Sequence, residues 1–182
     1  MKHLAVIMGM PGAGKDTQAA LLEKSEHLTV IRVGDEVRKL AAHDKHLAEE
    51  LQSGQLADES VVDGVVLSAL DHSLTNAHLL SDGYPRSLDQ ARALSRMCQK
   101  LKIDLVQVLY LELPEDEVYT RLKLRNRADD TPETIKNRLE VFFKETEPVL
   151  DYYREHNLLD EVNGLGTVEE VADRIRKVIK VV

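Results

Sequence analysis

The chain of 182 residues is long enough for one α/β domain with its own hydrophobic core. Hydrophobic residues make up 43% and charged residues 31%, with only 9 Gly and 5 Pro, which excludes collagen-like repeats and extensive disorder. The 32 acidic residues outnumber the 24 Lys and Arg, and the net charge of −8 argues against a surface that coats nucleic acid or an anionic membrane. We therefore expect neither a nucleic acid polymer nor a membrane among the partners.

The sequence also predicts a compartment. Cys98 is the single cysteine, so the chain cannot form an internal disulfide, which fits a reducing environment. No apolar run approaches the roughly 18 residues that span a bilayer, and the short apolar start gives way to glycines rather than to a secretory cleavage site. We expect a cytoplasmic protein. For the oligomeric state we take a monomer as the expectation.

Short apolar segments alternate with longer amphipathic stretches, a pattern that predicts a parallel sheet covered by helices. The first segment, His3–Met8, shows no polar alternation and is expected to be a strand buried on both faces. The other predicted strands are Leu28–Ile31, His78–Ser81, Leu105–Leu111 and Leu158–Val162.

Helical periodicity fills the stretches between these strands. Thr131 before Pro132 is typical of a helix start, and Thr167 with Glu170 forms a possible capping box. The excess of helix after the second strand predicts an inserted lobe. The predicted helices are Lys15–Glu26, an apolar stripe from Val61 to Leu70, Leu88–Leu101, Glu115–Arg125, Pro132–His156 and Val168–Ile179.

Residues 9–17 read Gly-Met-Pro-Gly-Ala-Gly-Lys-Asp-Thr and stand between a predicted strand and a predicted helix. Glycines let successive N–H groups turn inward around an anion, and the following helix adds the positive end of its dipole. Lys15 would reach the outer phosphates of a nucleotide. Asp16 occupies the position where the strict motif has Ser or Thr, and Thr17 follows it. A plain glycine-rich turn with an exposed lysine is the weaker alternative.

Three further motifs follow in order: residues 34–38 (Gly-Asp-Glu-Val-Arg), residues 81–86 (Ser-Asp-Gly-Tyr-Pro-Arg) with Gln90, and residues 121–127 with Arg138. Together with the phosphate loop they resemble the adenylate kinase family of nucleoside monophosphate kinases nearly end to end. The resemblance implies a P-loop three-layer α/β/α fold with a central parallel sheet of about five strands. It further implies a single domain over residues 1–182, with a helical insert at about 33–62 that binds the monophosphate and a very short lid at about 125–129.

The resemblance also implies roles for individual residues. ATP would be bound by Gly12, Ala13, Gly14, Lys15, Asp16, Thr17, Arg125 and Gly166. AMP would be bound by Val33, Arg38, Gln55, Leu56, Ala57, Gly83, Tyr84, Pro85, Arg86, Gln90, Arg127 and Arg138. The catalytic cations would be Lys15, Arg86, Arg121, Arg125, Arg127 and Arg138, and Thr17 and Asp82 would bind Mg²⁺ through water or phosphate. For Arg121, an ordinary position on a helix surface is the alternative.

The implied chemistry is phosphoryl transfer from MgATP to AMP, which gives two ADP. The attacking phosphate oxygen is already anionic, so the site needs positioned cations rather than a general base. Arginines suit this task because they bind phosphate oxygens bidentately and stay charged.

Other functions stay open at this stage. Gln90 carries both a donor and an acceptor and favours adenine, but Val33 replaces the usual Thr, so another (deoxy)nucleoside monophosphate is the alternative acceptor. Asp16 replaces the usual Gly, and a single residue, Asn126, separates Arg125 from Arg127. These departures leave room for a sensor that binds ATP and AMP with little turnover.

Overall fold

Five parallel strands form one central sheet in the computed structural model, which describes residues 2–73, 78–125 and 131–181. In space the strands follow the order β2-β3-β1-β4-β5, so the chain builds one side of β1 first and then crosses to the other. The predicted parallel α/β sheet is confirmed, with strand ends that differ by one or two residues. The strands are β1 (Lys2–Gly9), β2 (Thr29–Arg32), β3 (His78–Asp82), β4 (Ile103–Glu112) and β5 (Leu159–Asn163).

Helices connect the strands and cover the sheet. They are α1 (Lys15–Ser25), α2 (Val33–Ala41), α3 (Lys45–Ser53), α4 (Glu59–His72), α5 (Leu88–Leu101), α6 (Glu115–Arg125), α7 (Pro132–Val141), a π-helix (Phe142–Thr146), α8 (Glu147–Glu155) and α9 (Val168–Val178). Thr131 caps α7 through the Thr134 N–H, and Thr167 and Glu170 form the predicted capping box of α9. Within the described ranges, no helix combines the length and the apolar character needed to cross a membrane.

The prediction of one continuous helix over Pro132–His156 is wrong. The segment consists of α7, a π-helical turn at Phe142–Thr146, and α8. Pro148 lies in the first turn of α8 and has no N–H to donate to the carbonyl four residues earlier. The π-turn accommodates this interruption by inserting an extra residue into the helix. Helical periodicity alone does not register such a shift.

The core lies on both faces of β1. Leu4, Val6 and Met8 pack into one cluster and Ala5 and Ile7 into another, so the strand is buried on both sides as predicted. Cys98 belongs to the first cluster, and its burial raises the pKa of its thiol to about 12. The thiol is therefore a packing group, since its reactive thiolate form is strongly disfavoured.

The parallel register brings the carboxyl ends of neighbouring strands to one edge of the sheet. Asp82 of β3 pairs with Ile7 of β1 on one side and with Arg32 of β2 on the other. Gly9, the last residue of β1, pairs with Leu111 of β4. Ligands of open α/β sheets bind at this edge, where the chain changes direction across the sheet.

Candidate active site

The glycine-rich segment folds into a tight loop between β1 and α1. Gly12 and Gly14 have φ angles of +86° and +95°, which other residues rarely adopt. A Cβ at Gly12 would lie 2.8 Å from Cγ of Leu122 in α6, so packing also requires a glycine there. The Ala13 N–H donates to the Met10 carbonyl at 3.0 Å and closes the turn. The sequence pattern and the local backbone therefore agree on the loop geometry.

Lys15 begins α1 and reaches back over this loop. Its Nζ donates to the Gly9 carbonyl at 2.8 Å and to the Met10 carbonyl at 3.0 Å. Gly14 occupies the N-cap position of α1 and has no side chain to bind the N–H groups of the first turn. Those N–H groups and the helix dipole suit an anion at this point. Asp16 and Thr17 are exposed in the same turn.

Asp82 ends β3 beneath this loop and is only 6% exposed. Burial raises the pKa of its carboxyl group to about 6, and the charge of Lys15 limits the rise. The carboxylate of Asp82 and the hydroxyl of Thr17 are oxygen ligands of the kind that Mg²⁺ accepts alongside water and nucleotide phosphates. The donor set thus fits a magnesium ion bound mainly through its water and phosphate ligands.

The raised pKa of Asp82 predicts a pH dependence of stability. The folded chain binds this proton more tightly than the unfolded chain, whose pKa is near 3.8. The free energy of unfolding should therefore fall as the pH rises from about 4 to about 6, by up to about 3 kcal/mol, and level off above that. Denaturant titrations at each pH measure the effect. The Asp82→Asn variant should lack this fall in the free energy of unfolding, whereas the control variant Asp104→Asn, changed at an exposed position, should keep it. The same pH dependence in the unmodified chain and in both variants would contradict the assignment to Asp82.

The segment after β3 brings three parts of the chain together. A Cβ at Gly83, where φ is +86°, would lie 3.1 Å from Nη2 of Arg86 and 3.9 Å from the backbone nitrogen of Gly34. Nε of Arg86 donates to the Gly83 carbonyl at 2.8 Å. The Arg86 N–H donates to Oε1 of Gln90 at 2.7 Å. The glycine leaves room for a guanidinium beside the start of α2.

Several charged side chains act on the guanidinium of Arg86. The surrounding protein lowers the pKa of its guanidinium, although one side of the residue stays open to solvent. Asp82 and Asp16 act in the opposite direction, and the positive charges of Arg138 and Arg38 lower the pKa further. Four predicted site residues thus lie close enough to Arg86 to act on its charge.

The acceptor side of the predicted site is formed by α2 and the turn after α3. Arg38 is exposed, and its Nη2 donates to Oδ1 of Asp35 at 2.5 Å. The side chain of Val33 is 2% exposed, so an apolar group takes the position expected for a hydroxyl. Gln55 is exposed, and Ala57 is 8% exposed.

Arg121 lies between the phosphate loop and the turn that follows β5. Its Nε donates to Oε1 of Glu117 at 2.7 Å and its Nη2 to the Gly164 carbonyl at 3.2 Å. Its Nη1 lies 4.0 Å from the place of a Cβ on Gly14. Arg121 is partly buried, and its contacts extend beyond its own helix to the turn after β5.

Gly166 follows in the same turn. Its φ is +110°, and a Cβ there would collide with the carboxylate of Glu170. Nη1 of Arg174 donates to the carbonyls of Asn163 and Leu165 and fixes the turn from α9. The turn after β5 therefore has a defined shape that depends on glycine.

Arg138 is positioned by a contact between α7 and the end of α3. Gly54, with φ +82°, is buried there, and a Cβ on it would lie 3.2 Å from both Cγ of Arg138 and the Thr134 carbonyl. Nδ2 of Asn137 donates to the Ser53 carbonyl at 3.1 Å. The contact places Arg138 next to residues 55–57.

Comparisons with known proteins show to which family the chain belongs. The family model described as adenylate kinase matches residues 7–158, most of the chain. Three relatives named adenylate kinase match nearly the whole chain. The relative from Leptospira biflexa is 35% identical over 98% of this chain and 100% of its own length, and the one from Synechococcus sp. (strain CC9902) is 37% identical over the same shares. The relative from Mycolicibacterium smegmatis is 40% identical over 93% of this chain and 94% of its own length. The chain belongs to the adenylate kinase family.

The resemblance to adenylate kinases drawn from the motifs is thereby confirmed, together with the P-loop α/β fold. Sequence reasoning missed the support of Arg86 by Thr146, whose Oγ1 donates to the Arg86 carbonyl at 2.8 Å. No local signal could have found it, because 60 residues separate the two. Arg127, the side chain of Arg125 and the rest of the predicted lid lie outside the described residues.

Proposed function

We propose that this chain transfers the terminal phosphoryl group of MgATP reversibly to AMP, which gives two ADP, and acts as a monomer in the cytoplasm. Membership in the adenylate kinase family supports the reaction. The supporting observation is electrostatic: Arg38, Arg138 and the carboxylate of Asp82 all act on the charge of Arg86. The residue roles below are those that the resemblance to adenylate kinases implies.

The donor nucleotide binds on the β1–α1 side. Residues 12–17 surround its phosphates with backbone N–H groups, and Lys15 exchanges its carbonyl partners for phosphate oxygens. The adenine lies between Arg121 and the turn at Gly166, and Arg125 contacts ATP from the end of α6.

The acceptor nucleotide binds on the α2 side, in the insert at about residues 33–62. Arg38 and Arg86 bind its phosphate, and the glycine at position 83 leaves the space for the Arg86 guanidinium. Val33 and residues 55–57 line the nucleoside, with Tyr84 and Pro85 beneath the phosphate. Gln90 contacts the base. Because Oε1 of Gln90 accepts the Arg86 N–H, the amide NH₂ is the donor for an acceptor atom such as N1 of adenine.

Catalysis then consists of alignment and charge stabilisation. ATP carries about four negative charges and AMP about two, so several cations must face the reacting phosphates. Lys15, Arg86 and Arg138 supply part of this charge, and the resemblance adds Arg121, Arg125 and Arg127. No proton acceptor is needed because the attacking oxygen is already ionised. Exclusion of water keeps ATP from being hydrolysed.

Magnesium completes the proposed site. The carboxylate of Asp82 would hold the ion through water, and the hydroxyl of Thr17 would be a further oxygen ligand. When bound, the ion neutralises part of the phosphate charge and orients the donor. Ionised Asp82 is favoured by Lys15, which lies near enough to lower the pKa of the carboxyl group.

Acceptor profiling tests this function. With MgATP as donor and AMP, dAMP, CMP, UMP and GMP as acceptors, we expect the highest kcat/KM for AMP. Over GMP and UMP the reason is that N1 of adenine accepts a hydrogen bond, whereas the equivalent ring nitrogens of guanine and uracil donate one. CMP, whose ring nitrogen also accepts, tests whether base size matters, and dAMP tests the ribose. A coupled assay of ADP formation measures each acceptor. The buried, apolar Val33 favours a second candidate, a kinase for another monophosphate, and a higher kcat/KM for that acceptor would replace AMP with it. Binding of ATP and AMP without ADP formation would instead indicate a sensor.

A further inference from the structure

Two carboxylates on α4 face the acceptor segment without being part of the predicted site. Glu59 and Asp63 stand four residues apart and therefore share one face of the helix. Oε1 of Glu59 accepts a hydrogen bond from Oγ of Ser87 at 2.5 Å. Oδ1 of Asp63 accepts one from the hydroxyl of Tyr84 at 2.6 Å. Acidic side chains next to a phosphate-binding segment need a reason, because uncompensated negative charge there would weaken binding of an anion.

Both contacts lead to Gln90. The hydroxyl of Tyr84 lies 3.0 Å from the Gln90 carbonyl, and Oγ of Ser87 accepts the Gln90 N–H at 3.2 Å. The side-chain oxygen of Gln90 accepts the Arg86 N–H. Glu59 therefore supports the Gln90 N–H through Ser87. Asp63 is the nearer acceptor of the Tyr84 hydroxyl proton, and it holds this hydroxyl against the Gln90 carbonyl.

The same network reaches the phosphate-binding guanidinium. The backbone of Arg86 is fixed through its N–H by Gln90 and through its carbonyl by Thr146 at 2.8 Å. Its Nε is fixed by the Gly83 carbonyl. A shift of Gln90 therefore moves the Arg86 backbone as well. The residue proposed to contact the base is thus coupled to the residue proposed to bind the phosphate.

The carboxylates act only as acceptors for neutral hydroxyls here. Tyr84 is 1% exposed, and burial, followed by the hydrogen bond to Asp63, raises the pKa of its hydroxyl far above its usual value. The hydroxyl therefore stays protonated and keeps donating. A hydrogen bond to a charged acceptor is stronger than one between neutral groups, so it holds Tyr84 more firmly than the carbonyl alone would.

We propose that Glu59 and Asp63 are positioning residues that set the acceptor preference of the enzyme, by fixing Gln90 and Arg86 through Ser87 and Tyr84. Helix α4 begins two residues after Ala57, so its carboxylates also connect the residues around the acceptor nucleoside to the segment that binds its base and phosphate. This inference deepens the proposed function and rests on it.

Steady-state kinetics of Asp63→Ala, Asp63→Asn and Tyr84→Phe test the proposal. Asp63→Ala and Tyr84→Phe should each lower kcat/KM for AMP about tenfold, the scale of one charge-assisted hydrogen bond, and lower the preference for AMP over GMP. The KM for ATP should stay within about twofold, because the network does not reach the donor side. Asp63→Asn, which keeps an acceptor oxygen, should recover part of the loss. Glu59→Gln should likewise lower kcat/KM for AMP and the preference for AMP over GMP, because it weakens the hydrogen bond that Ser87 donates.

A double-mutant cycle separates positioning from general destabilisation. If Asp63 acts through Tyr84, the double variant Asp63→Ala/Tyr84→Phe should lose little more than either single variant. Asp71→Ala, an exposed acid on the same helix, is the matched control and should match the unmodified chain. If Asp63→Ala does not fold, Asp63→Asn and Tyr84→Phe carry the comparison.

Two outcomes would overturn the inference: folded variants with unchanged acceptor kinetics and preference, or an equal rise of KM for ATP and AMP. The proposed function fails separately, when the unmodified chain prefers another monophosphate. In that case the variants are assayed with that monophosphate, and loss of its preference still supports the positioning role.

Discussion

Replacing Lys15 with Met lowers kcat on the order of a thousandfold, which we expect to be the largest effect of any single substitution in this chain. Lys15 is the first residue of α1, and its ammonium lies over the phosphate loop. It compensates charge that spreads over the phosphate oxygens in the transition state, a role that an apolar side chain of similar length cannot take. Single-turnover formation of ADP from saturating ATP and AMP measures the effect on the transfer step.

The same substitution removes two hydrogen bonds, to the carbonyls of Gly9 and Met10, so stability must be measured alongside. We expect the free energy of unfolding to fall by about 1–3 kcal/mol, which is too little to unfold the protein at room temperature. Lys24→Met, at the exposed end of the same helix, is the matched control and should keep its activity. A folded Lys15→Met variant with near-normal turnover would refute the assigned role.

The second large effect is expected for Arg86→Lys. Lysine keeps the charge but cannot donate to the Gly83 carbonyl and to a phosphate in one planar arrangement. The guanidinium also fills the space that Gly83 leaves beside the start of α2. We expect kcat/KM for AMP to fall on the order of a hundredfold, while the KM for ATP changes little.

Arg96→Lys, an exposed arginine on α5, is the control for the chemical change itself. It should leave both KM values unaltered. Calorimetric titration with AMP separates binding from turnover, since loss of a phosphate contact weakens binding as well as transfer. An Arg86→Lys protein that binds AMP normally and turns over normally would show that the guanidinium only supports the loop.

Local signals in the sequence predicted most of the fold. The apolar segment at residues 3–8 is recognisable as a strand because a strand buried on both faces has no polar alternation. The segment at residues 105–111 is recognisable by its apolar run and by Pro114, which follows it. The starts of α7 and α9 follow from Thr131 and Thr167, since an N-cap is formed by residues within one turn. The π-turn before Pro148 was missed, because a helix that gains one residue keeps its composition and nearly keeps its periodicity.

The phosphate loop is the part of the site that the sequence predicted best. Gly12 and Gly14 shape the loop through their positive φ angles. Lys15 donates a hydrogen bond to a carbonyl only six residues away. The resemblance to adenylate kinases supplied the other candidates by position, but it could not say which side chains support them. Thr146 beneath Arg86 and the two carboxylates of α4 became visible only through contacts over 21 to 60 residues.

The amino-acid sequence by itself determined the sheet, the helix caps, the phosphate loop and the family, because each depends on patterns that short segments carry. Only the tertiary structure decided that Arg38, Arg138 and the buried Asp82 lie near enough to Arg86 to act on its charge, and that Gly54 packs against Arg138. These arrangements depend on strand order and helix packing, which bring together residues that no local pattern relates.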